Sequence, residues 1–293
     1  MTEKSLNFAE KCFARLCNKN IRHWSQTSKD NIPPEELMEL QKEEWEDFWK
    51  RFDSPIPDFR NKIVVDYGCG FGYDSLFVLQ NGAKHVYCLE ISENRINNAK
   101  ELHVSHGYTN ATYIINTNVK ELINKIEGKD VDLIICRDVM EHVPFPFDVI
   151  DSMYSILPPG GEIYIGFSPI YKSPYGPHIK TKCKIPWIHL VFSETTILNV
   201  FKKIYRLPSS ITSYIDIEGS GVNKLSYFDY KKLIAGLSWN IEVDFINRFP
   251  EHRSLTKTLN IFLRLIPFRS IKEFFIVNSY IKITGKNHDS HGK

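Results

Sequence analysis

The stretch VVDYGCGFGYD at residues 64–74 decides the fold of this chain. An apolar run ends in an acid, and glycines follow at every second position: Gly68, Gly70 and Gly72. Glycine lets a backbone turn sharply and approach a ligand with no Cβ in the way. In an open α/β sheet, the loop after the first strand lies in the ligand-binding crevice. The stretch therefore predicts a strand followed by a binding loop.

From Ile63 to Phe167, short apolar runs alternate with segments of helical periodicity. The apolar runs are IVVDY, HVYCLE, TYII, DLIIC and EIYIGF, and the helical segments are 74–81, 92–106, 119–126 and 147–157. This alternation predicts a parallel sheet with helices on both faces. Helical periodicity returns at 227–237, and strand-like runs follow at 241–249 and 273–285.

Two segments stand outside this alternation. Residues 1–60 form a predicted N-terminal helical segment, in which Pro33 and Pro34 begin an amphipathic helix over 34–52 that needs a packing partner. After Ser168 the alternation breaks in a stretch rich in proline and aromatic residues. We predict a main domain over 61–286, interrupted by a cap insertion at 169–225 that covers the carboxyl edge of the sheet. A tail follows at 287–293.

Composition narrows the class of protein. Apolar residues make up 42% of the 293 residues, charged residues make up 25%, and the net charge is +2. These values are typical of an ordinary globular protein, and we expect no nucleic-acid partner. The N-terminus lacks an apolar core of signal-peptide length and no apolar run could span a bilayer, so a cytoplasmic location is expected. Six scattered cysteines favour reduced thiols.

The spacing of the glycines bears on which ligand the loop binds. A dinucleotide loop, GxGxxG, requires glycine or alanine at position 73, which here is Tyr73. The second predicted strand ends in Glu90, where a carboxylate can accept both hydroxyls of a ribose and disfavours a 2′-phosphate. A ribose-bearing ligand without a pyrophosphate is the simplest fit.

With these features the sequence resembles the class I S-adenosylmethionine-dependent methyltransferases of the small-molecule type. VVDYGCGFG at 64–72 matches the first motif of that family, the resemblance runs from Lys62 to Gly166, and it reappears at 226–249 and 272–286. It implies an α/β, Rossmann-like, seven-stranded and mostly parallel sheet with helices on both faces and an antiparallel last strand. It also implies S-adenosyl-L-methionine as the cofactor.

The resemblance assigns a role to each residue of the cofactor site. Asp66 would hold the amino-acid portion, Glu90 would take the ribose hydroxyls, and Ile91 would flank the adenine. Asn118 stands where the family often has an aspartate that bonds the adenine amino group, and an asparagine can still form that bond. The cofactor-binding residues predicted in this way are Asp66, Gly68, Cys69, Gly70, Glu90, Ile91, Asn118 and Arg137.

Methyl transfer to a hydroxyl needs a base, because the nucleophile arrives protonated. The segment after the fourth strand reads CRDVMEHVPFP and lacks the [DNS]PP[YFW] stretch of relatives that methylate base amino groups. Hydroxyl or carbon acceptors are therefore favoured. His178, on a loop beyond the fifth strand, is the first choice as base, and His142 and Glu141 complete the predicted catalytic set. A loop histidine that bonds backbone or water is the alternative for His178.

These features predict a methyltransferase acting on the oxygen of a small molecule such as a sugar, a glycan precursor or a secondary metabolite. A methyltransferase-fold binding protein without activity and a protein or RNA methyltransferase are the alternatives. A nicotinamide oxidoreductase fits poorly because the glycines are spaced GxGxG and not GxGxxG.

Two further features bear on metal binding and on membrane contact. Cys12, Cys17 and His23 lack the second ligand pair of a metal site, and the acids and histidine after the fourth strand share one short loop, so no metal is expected. The segment 258–275 interleaves apolar residues with basic ones. We expect it to cover the sheet edge before the last strand rather than to lie on a membrane.

Overall fold

The computed structural model describes residues 5–24, 32–115, 125–126, 131–217, 221–235, 240–249 and 252–285. The elements up to the fifth strand are α1 (Phe8–Leu16), α2 (Pro34–Lys50), β1 (Ile63–Tyr67), α3 (Tyr73–Gln80), β2 (His85–Glu90), α4 (Glu93–Ser105), β3 (Ala111–Ile115), β4 (Leu133–Arg137), α5 (Pro146–Ser155) and β5 (Glu162–Phe167). The elements that follow are α6 (Ile188–Val191), α7 (Glu194–Tyr205), α8 (Tyr227–Ala235), β6 (Asn240–Ile246), α9 (Arg253–Leu265), α10 (Arg269–Lys272) and β7 (Ser279–Thr284).

The strands of the described residues form one seven-stranded sheet in the order β3-β2-β1-β4-β5-β7-β6. Strands β1 to β5 pair in parallel, and β7 runs antiparallel to both β5 and β6. The predicted fold class is confirmed. The strand order reverses between β1 and β4, so the loops after these two strands open into the crevice where α/β sheets bind ligands.

One predicted segment is mostly untested by the structure, and another differs from it. The helix predicted over 119–126 lies almost entirely outside the described residues. The strand predicted over 273–285 is wrong at its start, because Glu273–Phe275 forms a 3-10 turn and β7 begins only at Ser279. Glu273 is buried, and its carboxylate accepts hydrogen bonds from Lys172 and Ser226. These contacts keep the residue in the turn and out of the sheet.

Helix α2 is the packing partner of one face of the sheet. Pro34 occupies its first turn, where the missing N–H costs nothing. Its buried aromatic side chains Phe48 and Trp49, with Phe52 just beyond the helix, pack against Tyr164 of β5 and Tyr280 of β7, with ring centroids 5.0 to 6.2 Å apart. Burying each such side chain contributes about 1.5–3 kcal/mol. The helix predicted over 34–52 is observed, and it closes this face.

Helix α1 packs elsewhere. A capping box of Asn7 and Glu10 begins it, and Phe13, fully buried, meets Phe201 of α7 at 5.9 Å. Asn199 donates to the Glu10 carboxylate at 2.8 Å. The segment 1–60 therefore divides between the sheet, through α2, and a separate core within 171–222, through α1. The boundaries of the cap insertion at 169–225 remain a prediction.

The C-terminal helix α9 packs along one side only. Leu263 is buried, Leu259 and Ile266 pack on the core, and Thr256 is buried beside them. Its remaining apolar side chains are exposed, so the expected covering role holds for one stripe of the helix. None of the helices in the described residues is both long enough and apolar enough to cross a membrane.

A largely buried ion pair, with a third charged group beside it, joins β4, α3 and α2. The Arg137 guanidinium at the end of β4 donates from Nε and Nη2 to the two carboxylate oxygens of Asp74 in α3, at 2.7 and 2.9 Å. Its Nη1 lies 3.9 Å from the Glu44 carboxylate of α2. Two parallel bonds of this kind are strong and fix geometry, so β4, α3 and α2 are held together at one point.

Replacing Arg137 with alanine should lower the free energy of unfolding by about 3–5 kcal/mol, because it leaves the Asp74 carboxylate buried and unpaired. Urea denaturation measures this loss. The double variant Arg137→Ala with Asp74→Ala should lose less free energy of unfolding than the two single variants together, because it no longer contains the unpaired buried carboxylate. The exposed pair of Arg60 with Asp58, 2.6 Å apart, is the matched control, and Arg60→Ala should leave the midpoint nearly unchanged. Strictly additive losses for Arg137 and Asp74 would contradict the assignment.

Candidate active site at the carboxyl edge of the sheet

The glycine loop after β1 fits closely against the turn after β4. Gly68 has φ +77°, and a Cβ built on it would lie 2.3 Å from Cγ2 of Val139, so no other residue fits there. Gly70 has φ +54°, and none of the described residues lies within 4 Å of a Cβ built on it. The loop is therefore closed on the side of Gly68 and open at Gly70, where a ligand can approach the backbone.

Glu90, at the end of β2, is buried and holds the loop in place. Its Oε2 accepts the Gly70 N–H at 3.0 Å, and its Oε1 accepts the N–H groups of Ile91 and Ser92 at 2.9 and 3.0 Å. Arg95 lies 4.0 Å from Oε2. A carboxylate oxygen has room for two donors, so Oε2 retains capacity for a ligand hydroxyl.

Asp66, the acid at the end of the apolar run, is buried, and within the described residues its Oδ2 lacks a hydrogen-bond partner. Burial raises the pKa of Asp66 to about 7, with a further rise from Asp74 and partial relief from Ser75 and Arg137. A buried carboxylate with an unused oxygen can receive an ammonium group, which would lower its pKa again.

The other predicted cofactor residues occupy varied positions. Cys69 is buried, and contact with the Cys88 thiol together with burial raises its pKa, so it lines the loop as a neutral thiol. Ile91 is 53% exposed, as a side chain that flanks a ligand ring would be. Arg137 is engaged with Asp74. Asn118 lies outside the described residues.

Two supports of the loop were not found from the sequence. His103 of α4 donates from Nε2 to the Gly72 carbonyl at 2.8 Å, and its Nδ1 lies 2.8 Å from the Tyr113 hydroxyl. Arg95 stacks over the Phe71 ring at 5.8 Å. Both contacts join the loop to α4 and β3, and the spacing of histidine and arginine along the chain gives no signal of them.

The three predicted catalytic residues come together. Glu141 and His142 lie in a 3-10 turn after β4 (Met140–His142), and His178 reaches them from the segment after β5. His178 Nε2 lies 4.0 Å from Glu141 Oε1, and the rings of His142 and His178 are 5.0 Å apart. Glu141 is buried. Its Oε2 and His178 Nε2 have no hydrogen-bond partner among the described residues.

The segment 221–223 braces this turn. The Gly221 carbonyl accepts from His142 Nδ1, which leaves the Nε2 lone pair of His142 free of the proton. The Asn223 side chain donates to the carbonyls of Met140 and Val143 at 2.8 and 2.7 Å, and its backbone N–H donates to the Glu141 carbonyl. Sequence reasoning missed Asn223, because a loop asparagine far along the chain carries no pattern that indicates its partner.

Burial sets the protonation of the cluster. It lowers the pKa of His178 to about 3, with His142 and Lys182 adding to the effect. Burial and the nearby Asp138 raise the pKa of Glu141 well above its usual value. At neutral pH the imidazole of His178 is therefore uncharged and has an unused ring nitrogen inside the crevice.

The same three residues bear on the metal question. One ligand-type atom from each of Glu141, His142 and His178 lies within 4.8 Å of the other two, and two imidazoles with a carboxylate can bind a divalent transition metal. The expectation that this protein needs no metal therefore stays a prediction that experiment must test.

Aromatic residues of the cap are engaged within the protein. The Tyr175 hydroxyl donates to the Lys184 carbonyl, the Trp187 indole donates to the Phe274 carbonyl, and His189 donates to the Tyr171 carbonyl. Tyr171 and His189 also form an edge-to-face pair 5.3 Å apart. The polar atoms of these side chains are therefore engaged with the protein backbone.

Comparison with known proteins agrees with this geometry. A family model described as a methyltransferase domain matches residues 58–197. Protein arginine N-methyltransferase 1 of Oryza sativa subsp. indica is 42% identical over 77 residues, which are 26% of this chain and 19% of that protein. A ubiquinone biosynthesis O-methyltransferase of Erwinia tasmaniensis is 32% identical over 103 residues, 35% of this chain and 41% of that protein. The chain thus matches less than half the length of these curated relatives.

A solved structure shares the fold. The S-adenosylmethionine-dependent methyltransferase of Mesorhizobium loti aligns with a TM-score of 0.52 at 17% identity, covering 81% of this chain and 97% of that one. The matched family domain, residues 58–197, contains the glycine loop. Residues 58–197 therefore match a methyltransferase-domain family model, and the chain shares its fold with this methyltransferase structure.

Proposed function

We propose that this protein is an S-adenosylmethionine-dependent methyltransferase that methylates a hydroxyl of a small molecule such as a sugar, a glycan precursor or a secondary metabolite. One observation carries the proposal. The ligand-accessible loop at Gly70 and the turn that bears Glu141 and His142 touch each other through Gly68 and Val139. A cofactor on the loop and an acceptor beside His178 would therefore share one crevice.

The residues present fit S-adenosylmethionine. The unused Oδ2 of Asp66 suits the ammonium group of its methionine portion, and Oε2 of Glu90 suits a ribose hydroxyl. The exposed side chain of Ile91 suits an adenine ring. When bound, the cofactor supplies a methyl group on a positively charged sulfur. The protein then has to align the acceptor and exclude water.

The cluster of Glu141, His142 and His178 supplies the acid–base chemistry. Nε2 of His178 is uncharged at neutral pH and could accept the proton of the acceptor hydroxyl as the acceptor oxygen bonds to the methyl carbon and the bond of that carbon to the sulfonium sulfur breaks, with S-adenosylhomocysteine as the leaving group. The proton would then reside on His178, whose Nε2 lies 4.0 Å from the Glu141 carboxyl group. His142, oriented by the Gly221 carbonyl, presents its free ring nitrogen to the same space.

A second candidate is a methyltransferase-fold binding protein without activity. The low pKa of His178 favours it, since a base works best when its pKa lies near the operating pH. The named relatives also include a protein arginine methyltransferase, but the predicted cap at 169–225 would favour a compact acceptor over a protein segment.

Glu90→Gln should weaken S-adenosylmethionine binding by about tenfold or more, because an amide would place a donor against the Gly70 N–H and lose the charge that favours ribose hydroxyls. Isothermal titration calorimetry measures the affinity. Glu93→Gln is the matched control, since Glu93 is exposed three residues away. Equal effects of the two substitutions would remove Glu90 from the ribose role.

Cofactor affinity should rise as the pH rises toward 7, because the pKa of Asp66 is raised to about 7 in the free protein. Below that pH the carboxyl group is protonated and must lose its proton to receive the ammonium group of the ligand. Calorimetry at pH about 6 in two buffers of different ionisation enthalpy should record proton release on binding. Asp66→Asn should bind weakly and release none. A native affinity independent of pH would contradict this role.

His178→Ala should lower turnover by about 10²- to 10⁴-fold, as expected for loss of a general base. Cofactor affinity should stay unchanged, because His178 takes no part in the contacts of the glycine loop with other described residues. A screen of sugars and nucleotide sugars with radiolabelled cofactor comes first, to find the acceptor. His106→Ala, at an exposed histidine, is the control. An unchanged rate in His178→Ala would exclude it as the base.

Two outcomes of the same assay separate the alternatives. Tight cofactor binding with no turnover on any hydroxyl would favour the binding protein. Turnover that is lost with EDTA and restored by Zn²⁺ or Mn²⁺ would show that Glu141, His142 and His178 act as metal ligands.

A further inference from the structure

Helix α9 presents an apolar surface that the rest of the described protein does not cover. Its inner side, with Thr256, Leu259 and Leu263, packs on the core. Its outer side and the turn into α10 form what we call the α9 apolar ridge. The members of the ridge are Leu255, Ile261, Phe262, Leu265, Phe268 and Ile271.

The side chains of the ridge are exposed to solvent and are not part of the hydrophobic core. Leu265 is 76% exposed and Phe268 is 63% exposed, and all six members are exposed. On the helix, Ile261 and Leu265 point away from the buried side, since residues four apart lie on the same face and Leu263 lies on the opposite one. Large apolar side chains that line one outward surface indicate a site of interaction.

The charge around the ridge is of one sign. Residues 252–272 contain Arg253, Lys257, Arg264, Arg269 and Lys272 and no acidic residue. Lys257 and Arg264 are exposed and lie together on one flank of the helix, and Arg269 is exposed beside the Phe228 ring. The whole chain has a net charge of only +2, so this one segment is much more basic than the remainder of the protein.

We propose that the α9 apolar ridge and its basic flank dock on the surface of a membrane that contains anionic lipids. A helix of this kind lies in the plane of the interface with its apolar side chains among the acyl chains and its basic residues at the anionic headgroups. The ridge fits this placement. It faces outward, basic residues border it, and the inner side of the helix is packed on the core.

A second copy of the chain fits the ridge less well. In a symmetric dimer built on this surface, each basic residue would face the same set of residues in the partner. Lys257 and Arg264 would then meet like charges with no acid within 252–272 to pair with. An anionic lipid surface removes this repulsion, because it offers negative charge along the whole length of the segment.

Vesicle co-sedimentation of the full chain tests the proposal. The protein should sediment with vesicles of phosphatidylcholine that contain about 30 mol% phosphatidylglycerol, and at least tenfold less with phosphatidylcholine alone. Raising the salt to about 1 M, where the Debye length falls to about 3 Å, should release most of it. The assay needs neither cofactor nor acceptor, so its result is independent of the proposed methyl transfer.

Two sets of variants locate the surface. Leu265→Ser with Phe268→Ser should lower the vesicle-bound fraction about tenfold, and Lys257→Gln with Arg264→Gln should do the same for anionic vesicles. Phe8→Ser, at a side chain 83% exposed on α1, is the apolar control, and Lys84→Gln with Lys100→Gln, at exposed lysines, is the charge control. Neither control should change the binding.

Several results would overturn the proposal. These are absence of binding to either vesicle, binding that both sets of variants leave unchanged, and a lipid-free dimer that Leu265→Ser abolishes. The last result would assign the ridge to a second copy. Circular dichroism of each variant checks folding, and the charge variants keep the test decisive because they replace only exposed side chains.

Discussion

The contact between Gly68 and Val139 is the constraint on which the site depends. Any side chain at Gly68 would collide with Val139, at 2.3 Å from its Cγ2. The loop after β1 and the turn after β4 are therefore pressed against each other at the point where the strand order reverses. Glu90 fixes the far side of the loop by accepting the Gly70 N–H, and the N–H groups of Ile91 and Ser92 hold its carboxylate in place. Asn223 fixes the far side of the turn. Both walls of the crevice are therefore braced from outside by hydrogen bonds.

Buried acids give this crevice its electrostatic character. Burial raises the pKa of Asp66 and Glu141, and Arg137 is the basic partner of the buried Asp74 beside them. Carboxyl groups crowded in this way favour a ligand that brings positive charge, because that charge stabilises their ionised forms. S-adenosylmethionine carries both an ammonium group and a sulfonium centre. The crowding that raises these pKa values therefore also favours the binding of this positively charged cofactor.

Some parts of the structure follow from the sequence and others do not. The sheet and the meeting of Glu141, His142 and His178 could be predicted, since parallel strands share one carboxyl edge and residues just beyond them must lie close together. The partner of α1 could not, because an apolar helix face indicates burial without indicating against what. The engagement of Arg137 with Asp74 and the bracing by Asn223 were missed for a related reason. Side-chain partners distant in sequence are chosen by tertiary packing, and no local pattern indicates them.

Helix α9 shows that the periodicity of apolar residues does not predict what covers the outer side of a helix. Interleaved apolar and basic residues are compatible with a helix that covers a sheet and with one that lies on a membrane, because both need an apolar stripe. The two differ in what covers the outer side, and only the structure shows that Leu265 and Phe268 stay exposed after Leu263 is buried. The near-neutral net charge is equally ambiguous. It averages acids buried at the crevice with the basic surface of residues 252–272. A small net charge therefore says little about partners when opposite charges are separated across the fold, since each surface interacts through its local charge.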